Sequence, residues 1–322
     1  MAPRLIFGTA TFGMDLTEFQ NQDSVNSLLR TLRGLGVERL DSGARYPPLN
    51  PGRSEMLIGD SKEFCKGFII DTKVYTNTQT DGSGDLTRAG ISKSLTGSLQ
   101  RLQINEGINV LYAHRADPST PLEEQIQGFI EQIAQGRCKS WGVSNTPPKV
   151  LERILQLCEE NGWAKPSCYQ GNYNLVTRGM ETNLLPTLRE NGIAFNCFQP
   201  LAAGFLTGKL VNKTHAGTRF DKSNPLGNII QKMFESVELQ DAMKVFDAGV
   251  RAEGLAPMEV ALRWLANHSV LNNGDGIIFG ASKVDQAPDT VRFLQSGPLP
   301  PSVLILVENL WAAVKEMRGD II

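Results

Sequence analysis

The sequence alternates between short apolar runs and longer segments of helical periodicity, and this alternation constrains the fold more than any other feature. Eight runs have the length of a β-strand, and Gly, Pro, Asn or Asp bounds them. They are residues 5–7, 37–40, 68–70, 108–112, 140–143, 167–170, 193–198 and 276–279. Strands that alternate with helices predict parallel βα units, because a parallel crossover needs a long connection.

The segments between the runs have the spacing of amphipathic helices. In residues 25–32, for example, the Val and Leu side chains fall on one helical face. Thr146 before Pro147 predicts a helix that begins with a capping hydroxyl and a proline in its first turn. Eight βα units in about 280 residues fit a closed barrel better than an open sheet. We therefore predict an α/β fold, a (β/α)8 TIM barrel, with residues 1–322 forming one domain.

Two stretches fall outside the repeating pattern. Residues 203–235 are rich in Gly, Asn, Thr and Lys, which predicts a long loop after the seventh strand. Residues 297–322 begin with three prolines and continue with helical apolar spacing, which predicts a C-terminal helical tail. The expected molecule is a barrel with long loops at its active face and one additional helix.

Charge and motif content exclude several classes of function. The 32 basic and 34 acidic residues give a net charge of −2, which argues against a nucleic-acid-binding surface. No apolar run approaches the ~18–20 residues of a membrane helix. Five unpaired cysteines and a start unlike a secretory signal predict a cytoplasmic protein. The cysteines and the three histidines lack the usual metal-ligand spacings, so no metal site is expected.

Four chemically active side chains follow the second, third and fourth strands. Asp41, Lys73 and His114 come at the ends of these runs, and Tyr46 lies five residues after Asp41. Taken singly, each residue type at such a position is more often structural. In a closed barrel, however, the C-terminal ends of the strands form one rim, which is where barrel enzymes place their chemistry. We therefore expect the four side chains to share one site.

Together these side chains would make a proton donor. A free phenol, with a pKa of about 10, is a weak acid at neutral pH. An adjacent ammonium favours the phenolate, and a carboxylate keeps that ammonium charged. We therefore predict that Lys73 lowers the pKa of Tyr46, that Asp41 holds Lys73, and that His114 orients a carbonyl oxygen. This chemistry suits protonation of an oxygen that becomes negative as hydride arrives.

Nine segments, in order along the chain, are similar to the aldo-keto reductase superfamily. The resemblance covers essentially the whole sequence, and it is strongest to the branch of aflatoxin-aldehyde-reductase-like and related fungal enzymes. The segments are residues 7–9 with 12–13, 40–46, 52–55, 72–74, 111–114, 141–145, 170–174, 200–209 and 277–283. The resemblance implies an NADP-dependent reductase of a small aldehyde or ketone, with Asp41, Tyr46, Lys73 and His114 as its catalytic tetrad.

The cofactor assignment also comes from the resemblance. No G-x-G-x-x-G follows a strand, so a Rossmann domain is unsupported. The resemblance implies NADPH lying extended across the C-terminal face, with Ser144, Asn145 and Gln170 at its carboxamide and Phe198 stacked on the nicotinamide. The other cofactor-binding residues that it implies are Asp41, Gln199, Pro200, Leu201, Gly204, Leu206, Gly208, Lys209, Arg219, Gly280, Ala281, Ser282, Lys283 and Gln286.

Within this set, Gly204 and Gly208 are expected to let the backbone approach the pyrophosphate. The Ser282-Lys283 pair, near a helix N-terminus, favours NADPH over NADH. Two residues depart from the family pattern. Pro288 falls where relatives continue a helix, so the helix is expected to start later or to break. Thr290 stands where many relatives have an amide for the adenine, so this end of the cofactor is expected to bind differently.

The sequence leaves two alternatives to a carbonyl reductase. The chain could be an NADPH-binding regulatory or partner subunit with little turnover, since the potassium-channel β-subunits resemble this family; the intact tetrad argues against a purely non-catalytic role. It could also be a Schiff-base enzyme with Lys73 as the nucleophile. Asp41 would keep that lysine protonated, which is the unreactive state. The oligomeric state is not predicted.

The substrate is expected to be shaped by the loops rather than by the barrel. Residues 115–121, 205–234 and 297–322 would surround it. The aromatic residues Phe220 and Phe234 in the second of these suggest an apolar carbonyl compound with several rings.

Overall fold

A closed barrel of parallel strands forms the centre of the structure, a computed structural model that describes residues 2–321. Within these residues the eight strands are Arg4–Gly8 (β1), Arg39–Asp41 (β2), Ile69–Lys73 (β3), Ile108–Ala113 (β4), Cys138–Ser144 (β5), Cys168–Asn172 (β6), Ala194–Phe198 (β7) and Gly276–Phe279 (β8). Each strand pairs in parallel with the next, and β8 closes on β1. The predicted α/β TIM barrel is therefore confirmed. Met1 and Ile322, the two ends of the predicted domain, lie outside the described residues.

Helices surround the barrel and connect its strands. Those of the described residues are Gln22–Gly34 (α1), Arg53–Asp60 (α2), Lys62–Cys65 (α3), Arg88–Leu102 (α4), Leu122–Ala134 (α5), Pro148–Asn161 (α6), Met180–Asn183 (α7), Leu185–Glu190 (α8), Gly227–Lys232 (α9), Val237–Ala252 (α10), Pro257–Asn267 (α11), Gln286–Leu294 (α12) and Pro301–Arg318 (α13). In α1 the predicted apolar face is buried against the barrel. The core therefore lies between the strands and this outer layer.

Prolines lie in the first turns of α6 and α12. The predicted cap at Thr146 is wrong: its hydroxyl donates to the Ser144 carbonyl (3.1 Å), and α6 begins at Pro148. The ring of Pro148 keeps Pro147 extended (φ −57°, ψ 145°), so the helix cannot start earlier. Pro288 lies in the first turn of α12, where a backbone N–H has no acceptor within the helix. The helix therefore continues through Pro288, and the expected break there is wrong.

The long loop (residues 203–235) contains more structure than the sequence predicted. A turn with left-handed residues at Ala202, Ala203 and Gly204 leads into a short 3₁₀ turn that ends at Thr207, and α9 follows further along. The rings of Phe205 and Phe234 stack at 4.7 Å, and Phe220 meets Phe234 edge-on at 6.0 Å. Both Phe220 and Phe234 are buried in this small core. They stabilise the loop itself, so these two residues give no support for an apolar substrate with several rings.

The predicted C-terminal tail forms α13 and packs on α10. Its last helical residue, Arg318, is buried and donates to the Val176 carbonyl (2.6 Å), and its guanidinium lies 5.4 Å from the centre of the Phe234 ring. The tail thereby ties the long loop to the segment that follows β6. Across residues 2–321, none of the helices combines the length and apolarity that a bilayer crossing requires.

Candidate active site

The charged centre of the site is a buried ion pair between neighbouring strands. Lys73 is 1% exposed, and its Nζ donates to both carboxylate oxygens of Asp41 (2.6 and 2.8 Å) and to the Ser42 carbonyl (2.7 Å). Gln170 donates to the same carboxylate from β6 (2.8 Å). Asp41 ends β2 and pairs in register with Asp71 of β3, two residues before Lys73. Strand alternation therefore places Lys73 inside the barrel rather than toward the helices.

Side chains of α2 hold the ends of β1 and β3 from outside the barrel. Ser54 donates to the Thr9 carbonyl at the end of β1 (2.8 Å). The buried carboxylate of Glu55 accepts from the Thr72 hydroxyl and from Arg101 Nε (2.8 Å). In the sequence, segment 52–55 contributes to the family resemblance but has no predicted role. Its role in the structure is to anchor the strand residue directly before Lys73.

Tyr46 lies over the Lys73 ammonium in the loop after β2. The ammonium nitrogen is 4.9 Å from the centre of the Tyr46 ring, and the His114 ring meets that ring edge-on at 5.5 Å. The backbone N–H of Tyr46 donates to the Gly43 carbonyl (2.9 Å), which shapes the turn. The structure thus brings Asp41, Tyr46, Lys73 and His114 together at one rim of the barrel.

The ionisation of this group differs from the prediction in one respect. Burial raises the pKa of Tyr46, and this outweighs the lowering by Lys73; the Asp41 carboxylate raises it further. The net pKa of the phenol is therefore above its usual value, where the sequence predicted a lowered one. Burial alone would lower the pKa of Lys73, but Asp41 and the neighbouring phenol raise it overall. At neutral pH the site holds a neutral phenol beside a charged ammonium.

His114 is a neutral imidazole in this setting. Burial, with the nearby charges of Lys73, Arg45 and Arg115, lowers its pKa to about 3. Its Nδ1 is enclosed and has no hydrogen-bond partner among residues 2–321. A neutral imidazole can donate one hydrogen bond and accept another, and can therefore orient a carbonyl oxygen without carrying charge.

The residues assigned to the carboxamide also cluster at this rim. Asn145, in a left-handed conformation (φ 48°), donates to the His114 carbonyl (2.9 Å) and to the Ser144 hydroxyl (3.1 Å). Gln170 uses its amide N–H on Asp41, as described above. Phe198 ends β7 and is half-buried. Ser144 and Phe198 therefore end β5 and β7, Asn145 follows β5, and Gln170 reaches the ion pair from within β6.

The backbone after β7 is strained where the resemblance places the pyrophosphate. Gln199, Ala202 and Ala203 have φ values of 56°, 49° and 56°, a region that costs a non-glycine residue about 1–3 kcal/mol. Such strain is commonly found at functional sites, and successive turns of this kind can point N–H groups at an anion. Gly208 has another explanation: an added Cβ would lie 2.5 Å from the Asp247 carboxylate. Packing within the chain, rather than a ligand, requires glycine there.

Arg219 supports an anion site at the long loop. Burial lowers its pKa, and its guanidinium makes no hydrogen bond or ion pair with any of residues 2–321. A guanidinium in this position is expected where an anionic ligand completes the site. A dinucleotide pyrophosphate fits this unpartnered cation and the turns that precede it.

The segment assigned to the adenosine end is held by two side chains. Gln286 accepts from the backbone N–H groups of Ser282 (2.9 Å) and Lys283 (3.4 Å), and Glu18 accepts from that of Val284 (3.0 Å). The Lys283 side chain is exposed and forms no ion pair with the described residues. The structure therefore places Lys283, Ser282 and Gln286 together, with the lysine free to meet a phosphate.

Thr290 does not replace the amide that many relatives carry. Its hydroxyl donates to the Gln286 carbonyl one turn earlier in α12 (3.0 Å), and the side chain is buried. It is therefore turned into its own helix. How the adenine end of the cofactor binds stays a prediction.

A cleft of about 270 Å³ opens beside the loop that carries Tyr46. Its walls come from the loops after β1 and β2 and from the long loop: residues 13–15, 47–50 and 224–226. It is large enough for a small organic molecule. Among residues 2–321, no group of three His, Cys, Asp or Glu side chains could hold a metal ion.

Known proteins match this chain over nearly its full length. Residues 4–312 match the sequence profile of the Aldo/keto reductase family. An aldo-keto reductase of Pseudocercospora fijiensis is 30% identical over 293 residues, which cover 89% of this chain and 97% of that protein. The Homo sapiens proteins aldo-keto reductase family 7 member A3 and aflatoxin B1 aldehyde reductase member 2 are 31% and 29% identical. Their alignments cover 95% and 96% of this chain, and 94% and 86% of those proteins.

The lowered pKa of His114 predicts how stability depends on pH. Because the folded pKa is about 3 and the unfolded value is about 6.5, only the unfolded chain binds this proton between those values. Stability must therefore fall as pH drops below about 6.5. Urea unfolding measures the free energy of unfolding at pH 7 and at pH 5. Between these two pH values, the wild type should lose up to about 2 kcal/mol more of this free energy than His114→Gln does. Equal losses in the two proteins would contradict the neutral imidazole.

Proposed function

The chain belongs to the aldo/keto reductase family and is an oxidoreductase of carbonyl compounds, and we propose that it reduces an aldehyde or ketone with NADPH, using Tyr46 as the proton donor. One observation carries this proposal: the buried Lys73 ammonium lies between the Asp41 carboxylate, at 2.6 Å, and the Tyr46 ring, at 4.9 Å. This arrangement supports a phenol that gives up its proton only when a stronger base forms beside it.

The bound NADPH would supply the hydride. As the carbonyl oxygen gains negative charge, the Tyr46 hydroxyl donates its proton to that oxygen, and the product is an alcohol. The raised pKa of Tyr46 is compatible with this step, because an alkoxide is a far stronger base than a phenolate. Lys73 stabilises the phenolate as it forms, Asp41 keeps Lys73 charged, and neutral His114 orients the carbonyl oxygen. Solvent then returns the proton to Tyr46.

The cofactor assignment rests on residues of three segments. Ser144, Asn145, Gln170 and Phe198 would hold the nicotinamide end. The loop from Gln199 to Lys209, with Arg219, would hold the pyrophosphate, and the segment from Gly280 to Gln286 would hold the adenosine 2′-phosphate. The unpartnered cations Arg219 and Lys283 support a phosphate-rich ligand and favour NADPH over NADH. We take residues 1–322 as one domain, acting in the cytoplasm, with the substrate entering by the cleft beside Tyr46.

Replacing Tyr46 by Phe tests the assigned proton donor. The change removes one oxygen, so carbonyl reduction should fall by about 10²–10⁴-fold, the usual contribution of a positioned acid. Binding of NADPH should stay within about twofold, since the ring and its contact with Lys73 are retained. NADPH oxidation with a panel of aldehydes measures the first effect, and quenching of tryptophan fluorescence measures the second.

Tyr75→Phe provides a matched control, because it removes an equivalent hydroxyl from an exposed residue and should leave turnover unchanged. Undiminished turnover by Tyr46→Phe would contradict the mechanism. A wild-type protein that binds NADPH but turns over none of the aldehydes would contradict the proposed reaction.

Lys283→Ala tests the preference for NADPH. Loss of a charge-assisted contact with the 2′-phosphate should raise the Kd for NADPH about tenfold and leave that for NADH nearly unchanged. Fluorescence titration with each nucleotide measures both values. Lys244→Ala on α10, an exposed lysine paired with Asp241, is the charge-matched control and should change neither. Equal weakening of both nucleotides would place the 2′-phosphate elsewhere.

A further inference from the structure

A second buried charge pair lies inside the barrel beneath Lys73. Asp71 is 1% exposed and precedes Lys73 by two residues on the same side of β3, so it lies about 6.6 Å lower along the strand. Arg39 stands in the same relation to Asp41 on β2. Its Nε donates to the Asp71 carboxylate at 2.7 Å. The two strands therefore carry alternating charges inside the barrel, with Arg39 and Asp71 below Asp41 and Lys73.

Asp71 also replaces part of the backbone pairing between β3 and β4. Its carboxylate accepts from the backbone N–H of Val110 (3.2 Å) and from the Asn109 amide (2.8 Å). Backbone pairing between these strands is recorded just above, at Thr72 with Leu111 and at Lys73 with Tyr112. With Arg39 included, three donors converge on one carboxylate, which is the pattern of an ionised acid. Asp71 thus joins three strands directly below the reactive side chains.

The charges of Arg39 and Asp71 contribute to the electrostatic potential around Lys73. Burial lowers the pKa of Lys73, while the charges of Asp41, of ionised Tyr46 and of Asp71 raise it. Burial raises the pKa of Asp71 itself, Arg39 opposes this, and Asp41 adds to it. The charges of the two pairs sum to zero. A change in either member of the lower pair must therefore be felt at Lys73 and at the phenol beside it.

Among the charged groups around Lys73 and Tyr46, Arg39 and Asp71 are the pair without an assigned role. Burial raises the pKa of Cys168 to about 11 and that of Tyr112 well above its usual range, so both are neutral. The groups that face Lys73 and Tyr46 are Asp41 from β2, Asp71 from β3, and Tyr112 and His114 from β4 and its loop. Behind them, Arg45 and Arg115 face His114, and Cys168 of β6 faces Tyr112.

We propose that Arg39 and Asp71 are a positioning pair for the reaction: the Asp71 charge, balanced by Arg39, sets how firmly Tyr46 keeps its proton before the carbonyl oxygen takes it. Asp71 acts against loss of that proton, since a phenolate would be a further negative charge near the Asp41 carboxylate, and Asp71 adds its own charge two residues below Lys73 on β3. Arg39 limits this effect. The inference rests on the proposed role of Tyr46 as the acid.

The test is the alkaline limb of kcat/KM for carbonyl reduction, where Tyr46 loses its proton. Arg39→Met leaves Asp71 uncompensated and should move this limb up by about one pH unit. Asp71→Asn removes the negative charge and should move it down by about the same amount, because arginine cannot lose its own charge. The double variant removes both charges and should return the limb toward that of wild type.

Opposite shifts that cancel in the double variant distinguish a field effect from a merely structural one. A structural role would lower kcat/KM at all pH values and would leave the limb in place, which would overturn the inference. If Asp71→Asn does not fold, Arg39→Met decides alone, because Arg39 reaches the surface with 14% of its side chain exposed. An unmoved limb in this variant overturns the proposal.

A spectroscopic titration separates this inference from the proposed function. The ultraviolet difference between each variant and the same variant with Tyr46→Phe reports the ionisation of the Tyr46 phenol without turnover. The pH of that ionisation should shift in the same directions as the kinetic limb. If the pH of phenol ionisation shifts while Tyr46→Phe still reduces carbonyl compounds, the proposed function fails and the electrostatic effect stands. If the pH of phenol ionisation does not shift, the inference fails.

Discussion

Lys73 remains charged inside the barrel because the Asp41 carboxylate lies 2.6 Å from its ammonium, and the rest of the site is arranged around this contact. Removing an ion from water costs several kcal/mol, and breaking such a pair costs about 3–5 kcal/mol. Three further elements help to hold it: the Ser42 carbonyl, the Gln170 amide, and Glu55, which anchors Thr72 from α2. The reaction therefore depends on the register of β2 and β3, because this register brings Asp41 and Lys73 together.

The ion pair sets the character of the phenol above it. An enclosed phenol resists ionisation, and the neighbouring ammonium reduces that resistance without removing it. Tyr46 therefore keeps its proton through neutral pH and releases it to a base as strong as a nascent alkoxide. A phenol that ionised freely at neutral pH would have no proton to donate in the reduction. The raised pKa of Tyr46 thus corrects the sequence prediction. It still agrees with an acid that donates its proton only when the alkoxide forms.

Local patterns predicted the barrel and its rim, because strand alternation and helical spacing depend on near neighbours in sequence. The positions of Asp41, Tyr46, Lys73 and His114 follow from the ends of three strands, and the structure brings all four together. Contacts away from the strand ends were not predictable in this way. The Arg39–Asp71 pair lies below the rim, where no strand-end pattern singles it out, and burial of Phe220 against Phe234 depends on how the long loop folds back. Pro147 and Thr146 show that one restricted backbone can override a favourable capping side chain.

The central claim is that the Lys73 ammonium makes the Tyr46 phenol easier to ionise than burial alone would allow. Carbon-13 NMR of protein labelled at tyrosine Cζ measures that ionisation directly, with Tyr46→Phe identifying the resonance. In Lys73→Met the phenol should titrate at least about one pH unit higher than in wild type, because the nearby positive charge is lost. Titration of Tyr46 at the same pH in both proteins would contradict the account.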